Sequence, residues 1–496
     1  MDGDAKDGFV STLPRVTYPL SPLDIVVSHL YISNCFFFEG PELGFDSGCQ
    51  YDNDHDDGTS FAVEQLLQSG LYRALEKFPI LVGELRPSGL NTMEIAVEPE
   101  RPNMPVWETT YDSVVSFDHC QTRGFHPDSW PEGLTLDGEP LLVTDDTCQS
   151  AKLLRIRVCR FAGNTGVAVL VRVAHAVFDA KGVVAFINYW ATCCREEKQK
   201  KQKQQPSLGS PSGKDESVHL PESILSRDAM YRKLPIDIRP TPMSKLLSPI
   251  SWVLVAILGW LAFTMRDYLT QGDSESHLFA ISRKDLDAIR SEAKEASSIV
   301  ISDNDVIVAL FTMAYAQSRE DGSKKPQSKS KVKALVPCDF RHRLDIPETF
   351  SGNCAVGLFV TASSDQLLQP IEHATLIQVA SVCRKTVDSA DRGVIEQLIR
   401  RAMESIKWLG PKARVLYSLM VCQAFSNQSR LGFYSSDFGF GPPVLAVPLA
   451  YPQTLAVVVP SPPESDDVYV WLSLKREQMV QLMGNRCFHS LVRVVY

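Results

Sequence analysis

The sharpest change of hydrophobic period in the chain falls within Val167–Trp190, VAVLVRVAHAVFDAKGVVAFINYW. Val167, Val169, Val171 and Val173 alternate with Ala168, Leu170, Arg172 and Ala174, and a run so rich in β-branched residues predicts a strand. Val183, Phe186, Ile187 and Trp190 then fall at i, i+3, i+4 and i+7, the apolar stripe of a helix that packs back on the sheet. Between them His175-Ala176-Val177-Phe178-Asp179 stands at the strand end, where a scaffold presents chemistry, and His175 keeps the parity of the valines. An ordinary reading exists for both polar residues: Asp179 as the N-cap of the following helix and His175 as a satisfied polar side chain. A lone His-x-x-x-Asp is too short a pattern to decide between that reading and chemistry.

The same periodic analysis orders the rest of the first half. Tyr31–Phe38 predicts a strand ending in three consecutive phenylalanines. Val63, Leu66, Leu67, Leu71, Ala74, Leu75 and Phe78 repeat at three and four and predict a helix that Pro79 ends. Leu154, Ile156 and Val158 alternate with Arg155, Arg157 and Cys159, and Gly163-Asn164-Thr165-Gly166 turns this strand into Val167 as a hairpin. The acidic stretch Asp46–Gly58 lacks the calcium-loop spacing and reads as a solvated loop.

Arg195–Val218 abandons apolar periodicity for Lys, Gln, Ser, Pro and Gly, and reads as a flexible linker. Leu246–Met265 carries no charge over a length close to a membrane span, between Lys245 and Arg266. Beyond it, Ser302-Asp303-Asn304-Asp305 has the Ser-x-x-acid pattern that caps an apolar helix over Val306–Ala316. Strands are predicted at Val332–Val336, Cys354–Ala362, Leu455–Val459 and Val468–Leu474, and helices at Ile371–Val387, Val394–Leu409 and from Arg476. Each half mixes strands with helices, so the chain reads as α/β with no solenoid period.

A length of 496 residues suffices for two or three domains, and 44% hydrophobic with 22% charged residues is ordinary for a globular protein. The net charge of −9 opposes a nucleic-acid partner, because phosphate neutralisation needs a basic surface. The 12 cysteines include no metal-spaced CxxC pair, so no metal site is expected. The start, MDGDAKDGF, has neither the basic nor the apolar region of a signal peptide, and a cytoplasmic location is the expectation.

With these features together, the chain resembles the BAHD acyltransferases, which move an acyl group from coenzyme A to a hydroxyl or amine. His175–Asp179 is similar to their HxxxD motif, and Asp437-Phe438-Gly439-Phe440-Gly441 to their DFGWG motif, in the same order and with similar separation. Leu20–Asp24, Leu67–Leu85, Arg341-His342-Arg343 followed by Gly352-Asn353, and Val468–Met483 extend the likeness over nearly the whole chain. The sequence departs from the pattern at Ala180, where the family commonly has Gly, and at Phe440, where it has Trp. The absent glycine implies a negative φ after Asp179. Its texture is nearer the fungal secondary-metabolite branch than the plant one.

The resemblance implies an α/β fold of two similar-sized domains of the chloramphenicol acetyltransferase type, with mixed sheets flanked by helices and an active-site channel at their interface. Residues 1–194 would carry HxxxD, 195–275 would form a crossover linker with the apolar helix, and 276–496 would carry DFGFG. It implies His175 as general base, Asp179 orienting the histidine loop with Arg341 as its ion-pair partner, and structural roles for Asp437, Gly439 and Gly441. Ser426 and Asn427 are the oxyanion candidates; Ser302, Lys331, Lys333 and the Lys324-Lys325 loop are those for the coenzyme's phosphates. No tightly bound cofactor is expected. The co-substrate is acyl-CoA, first acetyl-CoA, and the acceptor a hydroxyl of an alkaloid, terpenoid or polyketide, handled by a monomer.

An N-acyltransferase, a longer acyl donor, or a catalytically inert binding protein on the same scaffold are the alternatives. A condensation domain would carry a second histidine where this chain has Ala174, and a serine hydrolase would need a Gly-x-Ser-x-Gly elbow, which is absent. A single membrane crossing at Leu246–Met265 would separate halves that must share one site. A buried or bridging helix is therefore expected there, with peripheral membrane docking as the alternative.

Overall fold

A computed structural model describes residues 8–40, 58–134, 151–204, 222–234, 242, 274–296, 299–319, 331–410, 423–449 and 455–496. Its strands are β1 (Val16–Pro19), β2 (Tyr31–Glu39), β3 (Glu84–Pro87), β4 (Met93–Val97), β5 (Val106–Tyr111), β6 (Leu154–Arg160), β7 (Gly166–Ala174) and β8 (Ser274–Ile281). Then follow β9 (Lys331–Asp339), β10 (Ala355–Ser363), β11 (Gln423–Asn427), β12 (Leu445–Pro448), β13 (Leu455–Val459), β14 (Val468–Lys475) and β15 (Val492–Val494).

The chain forms two compact units that are not successive in sequence. Unit 1 is drawn from Met1–Arg232, Pro347–Asn353 and Leu431–Leu449; unit 2 from Lys233–Ile346, Cys354–Arg430 and Ala450–Tyr496. This corrects the linear division at residues 194 and 275. The physical reason is pairing: β12 lies antiparallel to β2, Leu445 opposite Phe37, and Asn353 bonds Asp24, so both late segments fold with the first part of the chain.

Unit 1 holds a five-stranded sheet of order β12-β2-β7-β6-β5 and a small antiparallel sheet β1-β4-β3. All nine residues of β7 are buried, as a central strand covered on both faces requires. Arg172 tolerates this because its Nε donates to Ser33 Oγ at 3.3 Å and its guanidinium lies 4.9 Å from the Tyr31 ring centre. The helices Gly58–Lys77 and Ala180–Gln204 pack together, and Trp190 Nε1 donates to Leu67 O at 2.9 Å. Their approach at Gly70 demands glycine, since a Cβ there would stand 2.3 Å from Cys194 Sγ.

Helix Ala180–Gln204 also corrects the linker expected from Arg195. Arg195–Gln204 contains only good helix formers and reaches no proline before Pro206, so the helix runs on once its apolar part is nucleated. Glu196 and Glu197 are then held by Arg73, at 2.5 and 2.9 Å.

Unit 2 holds a seven-stranded sheet of order β10-β9-β11-β13-β14-β8-β15, in which only β11 runs parallel to its neighbours. Helix Asp303–Ser318 is buried almost all round, which its unbroken apolar run allows, and Ser302 caps it through the reciprocal bonds with Asp305. The aromatic centre of this core is Phe279, Phe311 and Phe488, joined edge to face.

The apolar stretch Leu246–Met265, residues 46–57 of the acidic loop and Lys324-Lys325 lie outside the described residues. Among the described residues no helix is long and apolar enough to cross a membrane, and no His, Cys, Asp and Glu group is placed to hold a metal ion.

Candidate active site

Strand β7 ends at Ala174, and the next four residues turn into the helix. His175 N donates to Leu30 O at 2.8 Å, and Val177 N closes the turn on Ala174 O at 2.9 Å. Asp179 is the N-cap: its Oδ1 accepts from Gly182 N at 3.0 Å and its carbonyl accepts from Val183 N at 2.9 Å. Ala180 opens the helix without a positive φ, so the departure from glycine at that position is harmless. The glycine that matters is Gly182, where a Cβ would come 2.4 Å from Ser351 O.

Beneath this turn sits a polar cluster in which Asp24 is fully buried. Its Oδ1 accepts from Asn353 N at 3.1 Å and Asn353 Nδ2 at 2.7 Å; its Oδ2 accepts from Ser21 N at 2.9 Å and Arg227 Nε at 3.3 Å. Asn353 Nδ2 also donates to His175 O at 2.8 Å, and Arg227 Nη2 to Val177 O at 2.5 Å. Asp24 and Asn353 entered the sequence reading only through resemblance, and Arg227 was missed. Nothing in a sequence separates a buried arginine from an exposed one; only folding brings residues 24, 227 and 353 together.

His175 is partly exposed, while its Nδ1 is buried and finds no hydrogen-bond partner among the described residues. Burial pushes the imidazole below the usual histidine range. The backbone of His175 itself, the Asp179 carboxylate, the Phe178 backbone and Asp24 oppose that shift without cancelling it. That direction favours the neutral ring, the form able to accept a proton.

Asp437–Gly441 forms a tight anion-centred loop. Asp437 Oδ1 accepts from Gly439 N at 2.7 Å and Gly441 N at 3.0 Å, with both glycines at positive φ, 100° and 95°. Arg195 and Lys198 of the long helix donate to the carbonyls of Asp437 and Gly439. Phe438 meets Trp190 edge on at 4.7 Å, and Phe440 meets Phe38 at 5.0 Å, so both aromatic positions anchor the loop in the unit 1 core.

The remaining candidates lie in unit 2. Arg341 is buried and binds Asp339 through Nη1 and its own backbone N–H, both at 2.8 Å. Ser426 and Asn427 end strand β11. Ser426 Oγ accepts from Gln428 at 3.4 Å, while Asn427 Nδ2 already donates to Asn304 at 2.8 Å. Lys331 and Lys333 are exposed on β9, and the Lys333 ammonium stands 5.7 Å from the Phe359 ring centre. Ser302 is a poor phosphate ligand as it stands: its hydroxyl is committed to Asp305, and Asp303 and Asp305 place negative charge at that helix start.

Comparison with known proteins bears on family and fold. The Transferase family profile matches residues 10–212 and 263–486. Phenolic glucoside malonyltransferase 2 of Arabidopsis thaliana is 25% identical over 425 residues, covering 80% of this chain and 82% of its own. Vinorine synthase of Rauvolfia serpentina is 21% identical over 325 residues, 64% of this chain and 61% of its own. In fold, F. sporotrichioides TRI101, solved with coenzyme A and T-2, superposes with a TM-score of 0.66 at 16% identity over 97% of this chain and 100% of its own.

Fold and profile together define an α/β acyltransferase. The chain belongs to the Transferase family, as an acyl-CoA-dependent BAHD acyltransferase.

Proposed function

We propose that the protein transfers an acyl group, acetyl in the first instance, from acyl-CoA to a hydroxyl of a small secondary metabolite, with His175 as general base. The observation that carries this reading is a partly exposed imidazole on a turn whose carbonyls are tied to a buried charged cluster. In a ternary complex His175 takes the proton of the acceptor O–H as that oxygen attacks the thioester carbon. The tetrahedral oxyanion then collapses, the C–S bond breaks, and the coenzyme's sulfur leaves with the proton that His175 returns. The base is restored in its starting form and no acyl-enzyme forms. A thioester is already activated, so alignment of two substrates with one base supplies much of the rate.

Asp179 acts through the turn it caps. Ser426 is the preferred oxyanion donor; Asn427 keeps one amide hydrogen beyond that given to Asn304. A stemmadenine O-acetyltransferase stands among the relatives and supports acetyl as the first donor to try, and malonyltransferases stand there too, so both thioesters enter the test. The test is incubation with acetyl-CoA or malonyl-CoA and a metabolite extract from a strain lacking the gene, read by mass spectrometry. A product heavier by one acetyl group supports the proposal; transfer of malonyl alone replaces the donor, and no transfer from either thioester overturns it.

A further inference from the structure

The cluster under the histidine turn has a division of labour that the chemistry above does not use. Arg227 lies between a short 3-10 turn, Glu222–Leu225, and the helix Asp228–Lys233, and is 3% exposed. Its guanidinium is anchored to its own segment by Nη1 on Leu225 O at 3.1 Å and lies 5.7 Å from the Phe350 ring centre. The other two nitrogens reach away from that segment, to Val177 O and to Asp24 Oδ2. Asp24 in turn orients Asn353, whose amide holds His175 O.

We propose that Arg227 is the positioning residue for His175. One guanidinium fixes the carbonyl of Val177 directly and that of His175 through Asp24 and Asn353, so the turn bearing the imidazole is pinned at two points. This rests on the reading of His175 as the base. A buried ion pair is a weak source of net stability, because desolvation of both charges offsets their attraction. What this pair does supply is direction: a planar donor fork and a carboxylate with four donors admit one placement of the turn.

The charged and titratable groups acting on His175 are Asp179 from its own turn and Asp24 from the helix Pro22–Val26. Those around Arg227 are Asp24 and the phenols of Tyr18 and Tyr231. Burial pushes both phenols up to about 12, so they stay neutral and leave the Arg227–Asp24 pair as the only charges in the clamp among the described residues.

The test compares Arg227→Gln, Arg227→Lys and Asn353→Ala with the wild type. Turnover of acetyl-CoA, with the acceptor fraction found above, is measured per folded protein, and His175 is titrated by NMR with labelled histidine, assigned by His175→Gln. Loss of the fork lets the turn shift, and a misplacement near 1 Å costs about 10²-fold. Arg227→Gln should therefore lower kcat by at least about tenfold with KM for acetyl-CoA nearly unchanged. The His175 titration should move up toward the ordinary imidazole value as water reaches the ring. Arg227→Lys should recover part of both, and Asn353→Ala, which frees only the His175 carbonyl, should reproduce both in weaker form. If Arg227→Gln fails to fold, the other two variants carry the test.

Wild-type turnover per folded molecule with an unmoved His175 titration would overturn the proposal, whatever the melting temperature did. Lost turnover without any change in the His175 titration would overturn it too. Should His175→Ala keep its turnover, the base assignment would fall, while the His175 resonance in Arg227→Lys would still show whether the clamp exists.

Discussion

Replacing Asp437 by alanine removes the centre of the DFGFG loop. The carboxylate accepts two backbone N–H groups at 2.7 and 3.0 Å, from glycines held at positive φ. A hydrogen bond to a charged acceptor contributes about 1.5–3 kcal/mol, so two give about 3–6 kcal/mol if fully buried. Asp437 is only partly buried, and water would satisfy some of the loss, which brings the expected cost to about 2–4 kcal/mol. Asp437→Asn keeps an acceptor oxygen without the charge and should cost about 1 kcal/mol. Thermal unfolding followed by tryptophan fluorescence is the assay, because Phe438 lies 4.7 Å from Trp190. Alanine should lower the midpoint by about 4–16 °C, at the 2–4 °C per kcal/mol typical of a unit this size. Well below the transition, kcat and KM should match the wild type. An alanine variant as stable as the parent, or one equally stable but inactive, would refute this assignment of the loop to architecture.

Gly182→Ala forces a Cβ against the Ser351 carbonyl at 2.4 Å and should cost about 1–3 kcal/mol with a fall in kcat; calorimetry that finds no loss would show that segment 347–353 yields freely. Asp179→Ala should lose about 1 kcal/mol of helix capping, whereas Asp179→Asn, still able to accept from Gly182 N, should keep its stability in urea unfolding. Turnover that falls in both variants would assign the Asp179 charge a role beyond the cap. The imidazole of His175 is depressed in the folded state, so the unfolded chain binds the extra proton first. Its contribution to stability is thus complete above the unfolded value of about 6.5 and is lost as pH falls through the lower folded value. His175→Gln should flatten that acid decline in unfolding measured across pH, and the acid limb of wild-type kcat/KM should lie below 6.5 as well.

Period alone carried the regular elements. Strand β13 has the bounds its valine run announced, and β2, β7 and helix Arg392–Leu409 differ from expectation by a residue or two at their ends. Strands β1, β4, β5, β11, β12 and β15 were missed; each is three to six residues long and pairs with a strand distant in sequence. The long helix was cut short at Arg195 because polar composition was read as a linker, although that composition also forms helix wherever one face is docked. At the site, His175 and Asp179 were visible because they are close in the chain. Arg227 was not, since its partners are Asp24 and Val177 and only topology joins them. The interleaving of the two units escaped notice for the same reason: a four-residue strand at Leu445–Pro448 says nothing about pairing with Phe37 until the sheet is formed.

The central claim is that the His175 imidazole takes the acceptor's proton. Single-turnover acyl transfer by purified His175→Ala, beside the wild type and at matched circular dichroism and melting temperature, tests it most directly. The predicted result is a folded protein whose transfer rate has dropped by about 10²–10⁴-fold. A folded His175→Ala protein that transfers the acyl group at the wild-type rate would contradict it.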